Sequence, residues 1–388
     1  MNGRPNTTDE ATAERSAADE CRRCVMTRAV DPDIVIVDGV CNHCRRYDEL
    51  ISARVVAPAE RDEQLARLVK RISDSAGRGE FDCVVGVSGG VDSTYVALLV
   101  KSLGLRPLAV HVDNGWNSEL AVSNIEKTLT ALDIELETVV LDLREFYDLQ
   151  RSFLLASTPD ADIPTDHAIQ AVLWRVARQN GIKYVISGMN FATESISVPS
   201  WSYGHSDWRY IRDVHRRLGT QPLRSYPHFG FATLFWTNAV RRVRIASILN
   251  YVDYNKAAAV GELEEKLGWV AYEGKHFESI YTRWVQGHLL PVKFGIDKRR
   301  GHLSDLINSG QITREEALRR LEQDDYPETL RAADEKLLMK KLSLSRDQLD
   351  AILAAEPRSF RDFRNSYAFV QRLRRLVNAL RRRGLYPR

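Results

Sequence analysis

No apolar stretch in the 388 residues approaches the ~18 needed to cross a bilayer. That excludes an ordinary membrane-spanning helix. The first 20 residues, Met1 to Glu20, are polar and acidic and lack the apolar centre of a secretory signal. They read as a disordered leader, and the expected compartment is the cytoplasm. The net charge is only +3, too small to argue for nucleic acid by itself. The excess is local, because the last 20 residues carry seven arginines. Two common phosphate-binding signatures are also missing from the glycine-bearing stretch at 86–94. No Gly-x-x-x-x-Gly-Lys-Ser/Thr occurs there, and Gly86, Gly89 and Gly90 have the wrong spacing for a dinucleotide fingerprint. What is present is a globular composition, 44% hydrophobic and 28% charged, long enough for two domains or one large core with appendages.

The stretch Phe81–Val100 organises the rest. Its first half is a valine-rich run that reads as a buried parallel strand, and its second half has a helix pattern opening on Asp and Ser. Ser88-Gly89-Gly90 lies between them. A strand, a glycine turn and a helix N-terminus make an anion cradle of backbone N–H groups reinforced by the helix dipole. Ser88-Gly89-Gly90-Val91-Asp92-Ser93-Thr94 resembles the pyrophosphate loop of the PP-loop ATPases, which cleave ATP between its α and β phosphates.

The five cysteines divide cleanly. Cys21-Arg22-Arg23-Cys24 and Cys41-Asn42-His43-Cys44 are two C-x-x-C knuckles sixteen residues apart, the spacing of a four-thiolate structural zinc site. Ile34–Gly39 reads as a short strand and turn that returns the second knuckle. His43 reads as a bystander, and Cys83 as a small core residue.

Further along, residues 45–78 carry helical spacing. Strand and helix patterns then alternate, which implies βαβ units and a parallel sheet. Leu108–Val112 is a strand ending at Asp113-Asn114-Gly115-Trp116, beside the phosphate loop if ligands sit beyond strand carboxyl ends. A helix over 118–132 and a strand over 136–141 follow. The loop 160–167 precedes a helix over 168–179, with Thr165 or Asp166 as its cap. The strand 183–186 runs into a second glycine-bearing loop, Ser187–Glu194, on the same side of the sheet. Residues 198–250 break this rhythm with Trp, Tyr, His and Arg, which either stack on a ligand or form a helical insertion. Lys298-Arg299-Arg300 either neutralises a phosphate or is simply solvated, and the chain is helical from Thr313 onward.

Taken with the knuckles, Leu108–Trp116, Pro164–Ile169, Ser187–Glu194, Phe277–Gln286 and Leu290–Leu318, the chain resembles the N-acetyl sugar amidotransferases, PP-loop enzymes of bacterial surface-glycan biosynthesis. Val91 departs from the lysine expected at the variable loop position in much of that family.

The resemblance implies an α/β fold with a doubly wound parallel sheet of the PP-loop, adenine nucleotide alpha hydrolase-like, type. An N-terminal zinc knuckle and a helical C-terminal region flank it. The expected division is leader 1–20, knuckle 21–50, linker 51–80, ATPase domain 81–197, insertion and substrate segment 198–305, and helical region 306–388. It also implies a reaction in which ATP adenylates an N-acetyl amide oxygen of a nucleotide-linked sugar. Ammonia then displaces AMP and leaves an acetamidino group, in O-antigen or related glycan synthesis. ATP would lie against Ser88, Gly89, Gly90, Asp92, Ser93, Thr94, His111, Asp113, Gly188 and Asn190, with Mg²⁺. Asp92 orients the loop, reaches Mg²⁺ or caps the helix, and sequence leaves these open. Lys298 and Arg299 are the candidates for transition-state charge. Thr193, Glu194, Lys275, Arg283 and Arg300 are the substrate candidates.

With four cysteines assigned to Zn²⁺ and Cys83 in a strand, no glutaminase nucleophile remains. A separate glutaminase is therefore expected to supply ammonia, with a cyclase-like subunit of the histidine-biosynthesis type; neither membrane nor nucleic acid is expected as a partner. The rival is a tRNA-modifying PP-loop enzyme with a zinc knuckle.

Overall fold

The computed structural model describes residues 19–382 apart from Lys275. Most of the expected leader, Lys275 and Arg383 of the arginine cluster lie outside the described residues. In chain order the strands are β1 Ile36–Val37, β2 Val40–Cys41, β3 Cys83–Gly86, β4 Pro107–Asp113, β5 Leu136–Val140, β6 Tyr184–Ser187 and β7 Arg244–Ser247. The main helices are α1 Asn42–Arg54, α2 Arg61–Ala76, α3 Val91–Ser102, α4 Glu119–Leu132, α5 Leu143–Ala156, α6 Ile163–Gln179 and α7 Trp208–Leu218. They continue with α8 Lys256–Leu267, α9 Lys298–Asn308, α10 Arg314–Glu322, α11 Glu328–Leu342, α12 Arg346–Ala354 and α13 Tyr367–Arg382. Among the described residues no helix is long and apolar enough to cross a membrane.

The main sheet is parallel throughout, in the order β5-β4-β3-β6-β7. Its central strands are apolar at consecutive positions because both faces are covered. Val84 of β3 and Val110 of β4 pack on one face, with Phe146, Phe153 and Val172. Cys83, Val85 and Ala109 pack on the other, with Val96, Ile125 and Ile72. This is the doubly wound α/β fold that the sequence predicts. The chain leaves β3 outward through β4 and β5, then returns to add β6 and β7 on the other side. The loops after β3 and β6 therefore diverge at the switch point, where such sheets open a crevice.

Two expectations on element positions are corrected. Strand β7 belongs to the main sheet, paired Tyr184↔Arg244 to Ser187↔Ser247 with β6, although the sequence ends the nucleotide domain at 197. Four residues without alternation, with Ile245 exposed, carry too little pattern to declare a strand. Helix α6 starts at Ile163, with Pro164 in its first turn and Asp162 as the cap residue, not Thr165 or Asp166. A proline there sacrifices no helical hydrogen bond, so it opens the helix instead of delaying it.

Most aromatics of 198–250 turn inward, although Phe231, Phe235 and Trp236 stay exposed. Trp208 stacks on His228 with centroids 4.1 Å apart, and His167 on Phe229 at 4.1 Å. Burial lowers the His167 pKa to about 4, so the ring is a neutral member of this stack. It donates from Nδ1 to His205 O at 2.6 Å and accepts at Nε2 from Phe229 N at 3.1 Å. These rings stack on one another, which explains the composition of the segment without a ligand.

Candidate active site and metal centre

The two knuckles meet. β1 and β2 form a hairpin whose turn, Asp38-Gly39, takes left-handed backbone angles (φ 53° and 80°). It brings Cys41 and Cys44 against Cys21 and Cys24, all four fully buried. Cys21 and Cys44 sulfurs lie 4.0 Å apart and Cys24 and Cys41 sulfurs 3.7 Å apart. All four lie within 4.8 Å of one another. Four sulfurs tetrahedral about one zinc at ~2.3 Å sit about 3.8 Å from each other, so the set fits. Backbone N–H groups of Cys41, Cys24 and Cys44 approach the sulfurs at 3.3–3.5 Å, which suits thiolates. His43 is the bystander expected, bound through Nε2 to buried Asp31 at 2.7 Å. Cys83 lies buried in β3, and burial with the nearby Asp82 charge pushes its thiol pKa up.

Between β3 and α3 the phosphate loop is preformed by its own hydroxyls. Ser93 Oγ accepts from Ser88 N at 3.2 Å and donates to Gly90 O at 3.1 Å. Ser88 Oγ accepts from Gly90 N at 3.3 Å. Gly89 has φ +82°, and a Cβ there would meet Ala121 O at 2.7 Å. Its carbonyl is tied back by Trp269 Nε1 at 2.9 Å and by the Tyr272 hydroxyl at 3.1 Å. Thus the segment after α8 straps the loop from above. Asp92 accepts a short hydrogen bond from Tyr254. Thr94 is turned into the core at 3% exposure and lines neither of the cavities beside the loop.

Two cavities share this loop as a wall. The smaller, about 480 Å³, lies over the carboxyl ends of β3, β4 and β6 and includes Ser88, His111, Asn114, Gly188, Asp162 and Lys298. The larger, about 680 Å³, opens beyond it past Ser93, Asp92, Thr193, Glu194, Lys256 and Arg299. Ser88, Gly188, His276 and Glu278 line both. His111 holds its proton on Nδ1, which donates to Val87 O at 2.9 Å, and Nε2 accepts from Asn117 at 2.8 Å. Glu278 is half-buried, and desolvation alone would raise its pKa. The hydrogen bond and charge of His276, 3.4 Å away, outweigh this and hold it below the usual range.

Several predicted site residues are elsewhere. Asp113 faces a groove between β4 and α4, not the phosphate loop, and accepts from Gly115 N at 2.9 Å; its neighbour Asn114 enters the cavity instead. Asn190 lines neither cavity and uses its oxygen to accept from Thr193 N at 2.9 Å, shaping the second loop. Arg283 is locked in a buried fork on Asp334 at 2.6 and 2.7 Å, away from both cavities. Arg300 donates to Val25 O at 2.9 Å, so it clamps the zinc knuckle rather than a substrate. Arg299 reaches the larger cavity but already holds Asp297 at 3.0 Å and Gln323 O at 3.0 Å. Spacing along one helix cannot say which arginine a tertiary carboxylate will claim.

The sequence also missed residues. Trp269 and Tyr272 were signalled only as aromatics in a charged segment. Lys256 and the His276–Glu278 pair reach the cavities from outside the expected ligand sets. Asp162, half-buried in the same cavity as Lys298, is held up to a pKa of about 6 by desolvation, which Lys298 opposes and Asp166 reinforces. Asp92 and Glu194 supply hard carboxylate oxygens of the kind Mg²⁺ takes, and both line the larger cavity.

Residues 278–376 match the family described as LPS biosynthesis protein WbpG-like, C-terminal domain. This agrees with the resemblance to PP-loop enzymes of surface-glycan biosynthesis read from the motifs. The chain is also similar to glutamine-hydrolyzing GMP synthases. It is 32% identical to that of Aeropyrum pernix over 132 residues, 32% of this chain and 24% of that protein. It is 38% identical to that of Pyrobaculum aerophilum over 85 residues, 22% of this chain and 16% of that protein. The chain therefore spans about a quarter or less of the length of these curated relatives. Among solved structures, NMN synthetase from Francisella tularensis is 17% identical, covering 74% of this chain and 97% of that one with a TM-score of 0.30.

Proposed function

We propose that the chain is an ATP-dependent amidotransferase that converts the acetamido group of a nucleotide-linked sugar into an acetamidino group, releasing AMP and pyrophosphate. The observation that carries this reading is the preformed Ser88–Ser93 loop at the switch point, shared by two cavities large enough for a nucleotide and a second substrate. The match to a WbpG-like LPS biosynthesis domain supports a surface-glycan substrate.

The chemistry needs both halves. An amide oxygen is a poor leaving group, and adenylation makes it a good one. The amide oxygen attacks the α phosphorus, and the bond to the β–γ pyrophosphate breaks. Backbone N–H groups of the loop and the N-terminus of α3 meet the charge developing on the pyrophosphate. Lys298, at the start of α9, would add positive charge in the smaller cavity, and Arg299 would do so in the larger one only by giving up Asp297. Asp92 and Glu194 would hold Mg²⁺, which would supply positive charge for the departing phosphate oxygens. Zinc in the four-cysteine knuckle is structural, since four thiolates leave it no open position.

Ammonia would come from a separate glutaminase, associated with a cyclase-like subunit, in the cytoplasm. Every cysteine of this chain lies in the buried four-cysteine cluster or in β3. Steady-state pyrophosphate release should require ammonium and one member of a panel of nucleotide-linked diacetamido sugars, and bulk tRNA should not replace the sugar. Turnover with tRNA alone would establish the rival, and a purified chain using glutamine as readily as ammonium would remove the partner.

A further inference from the structure

The smaller cavity contains buried polar atoms that the protein leaves unpaired. Asp162 Oδ1, Thr165 Oγ1 and Gln170 Nε2 have no hydrogen-bond partner, and all three residues line this one cavity. Thr165 is 8% exposed. Buried polar atoms are nearly always paired, so three in one wall mark a place where a ligand supplies the partners. Asp162 is the cap residue of α6, yet its side chain accepts nothing from the helix. Its other oxygen takes only a long 3.4 Å contact from Gln286.

We propose that Asp162, Thr165 and Gln170 form the amination subsite, in which Gln170 faces the acetamido group and Asp162 and Thr165 receive the incoming ammonia, with Asp162 the base of the amination step. This rests on the amidotransferase reading above. Adenylation leaves the amide as an imidate; ammonia adds its lone pair to the imidate carbon, the C=N π pair withdraws onto the sugar nitrogen, and the tetrahedral carbon that results bears an ammonium group. The Asp162 carboxylate takes one proton from that nitrogen. The C–O bond then breaks, AMP leaves with its electron pair, and the freed nitrogen lone pair closes the C=N bond of the amidinium. The proton passes from Asp162 to solvent, so the carboxylate is restored. Gln170 can only donate from Nε2 and so faces a substrate oxygen, whereas the Thr165 hydroxyl can serve either way.

The groups around Asp162 fit a base that works near neutrality. Lys298 favours its ionised form, Asp166 opposes it, and His276 and the Gln286 amide assist it; the Tyr281 phenol also faces it. With burial these hold the carboxyl to about 6, so it is ionised above that pH and a stronger base than an exposed aspartate.

Asp162→Asn, loaded with zinc, separates the two half-reactions. Sugar-dependent exchange of pyrophosphate into ATP should stay within about threefold of wild type, while ammonium-driven amidine formation falls ~100-fold or more. The acid limb of the wild-type pH–rate profile, near 6, should disappear with it. Equal loss of both half-reactions, or a raised KM for ATP with amination intact, would overturn the assignment; the latter would make Asp162 a nucleoside contact. Should Asp162→Asn fail to fold, Thr165→Val decides. A roughly tenfold rise in the KM for ammonium with the KM for ATP unchanged supports the subsite, and no change in either overturns it. Wild-type protein that exchanges pyrophosphate with no acetamido sugar would instead overturn the amidotransferase reading, and this subsite with it.

Discussion

Gly89→Ala should lower pyrophosphate release to about 1% of the wild-type rate or less, while the protein keeps its zinc. The added Cβ would sit 2.7 Å from Ala121 O on the backbone of α4, which cannot rotate away as a side chain could. The residue would also have to hold φ +82°, a left-handed backbone that costs an alanine ~1–2 kcal/mol. Relief of either strain moves the Gly89 carbonyl and so releases Trp269 and Tyr272, which strap the loop. The N–H groups that should meet the pyrophosphate charge would then be misaimed. Loss of one such donor alone costs about 10²–10³ in rate. Gly77→Ala is the control: φ is +58° there, but nothing lies within 4 Å of its Cβ. It should carry the backbone strain and leave the rate unchanged. Single-turnover pyrophosphate release with matched melting curves separates the two.

The other large effect is expected at the metal. Cys44→Ser should lose zinc and lower the melting temperature by about 5 °C or more, because the metal supplies folding energy to a knuckle with little core of its own. The consequence should travel to the active site. Val25 N donates to Ser304 at 3.2 Å, Arg300 donates to Val25 O at 2.9 Å, and Arg314 donates to Cys24 O at 3.1 Å. Val25 also packs with Leu303 and Ala317. These contacts seat α9 and α10, and α9 opens on Lys298 and Arg299. Activity should therefore fall with the stability of α9, not with any change at the phosphate loop. Metal analysis with thermal melting checks this. A Cys44→Ser protein that keeps one zinc and its melting point would contradict the four-thiolate centre.

The parts of this fold that were legible in the sequence are those whose signal is local. The valine run of β3, the glycines of the loop and the knuckle spacing each declare themselves within a few residues. So the sheet, the cradle and the metal centre could be read before any contact was known. What was not legible depends on partners chosen at long range. Arg283 and Lys298 look alike in sequence, yet Asp334 claims the first and a cavity receives the second. Asp113 and Asn114 differ by one position at a strand end, and only the local turn decides which side chain enters. Asp162 was hidden because a carboxylate before a helix is ordinarily a cap. Its lack of a cap hydrogen bond appears only in three dimensions. Strand β7 is short, and its membership in the sheet is set by β6.

The central claim is that the acetamido oxygen is adenylated at the loop formed by Ser88–Ser93. The direct measurement is the fate of an ¹⁸O label placed in the acetamido group of the accepted nucleotide sugar, followed by mass spectrometry of the products. The account predicts one ¹⁸O in the phosphate of AMP and none in pyrophosphate, with an unlabelled amidine. Label retained in the sugar, or found in pyrophosphate or inorganic phosphate, would contradict it.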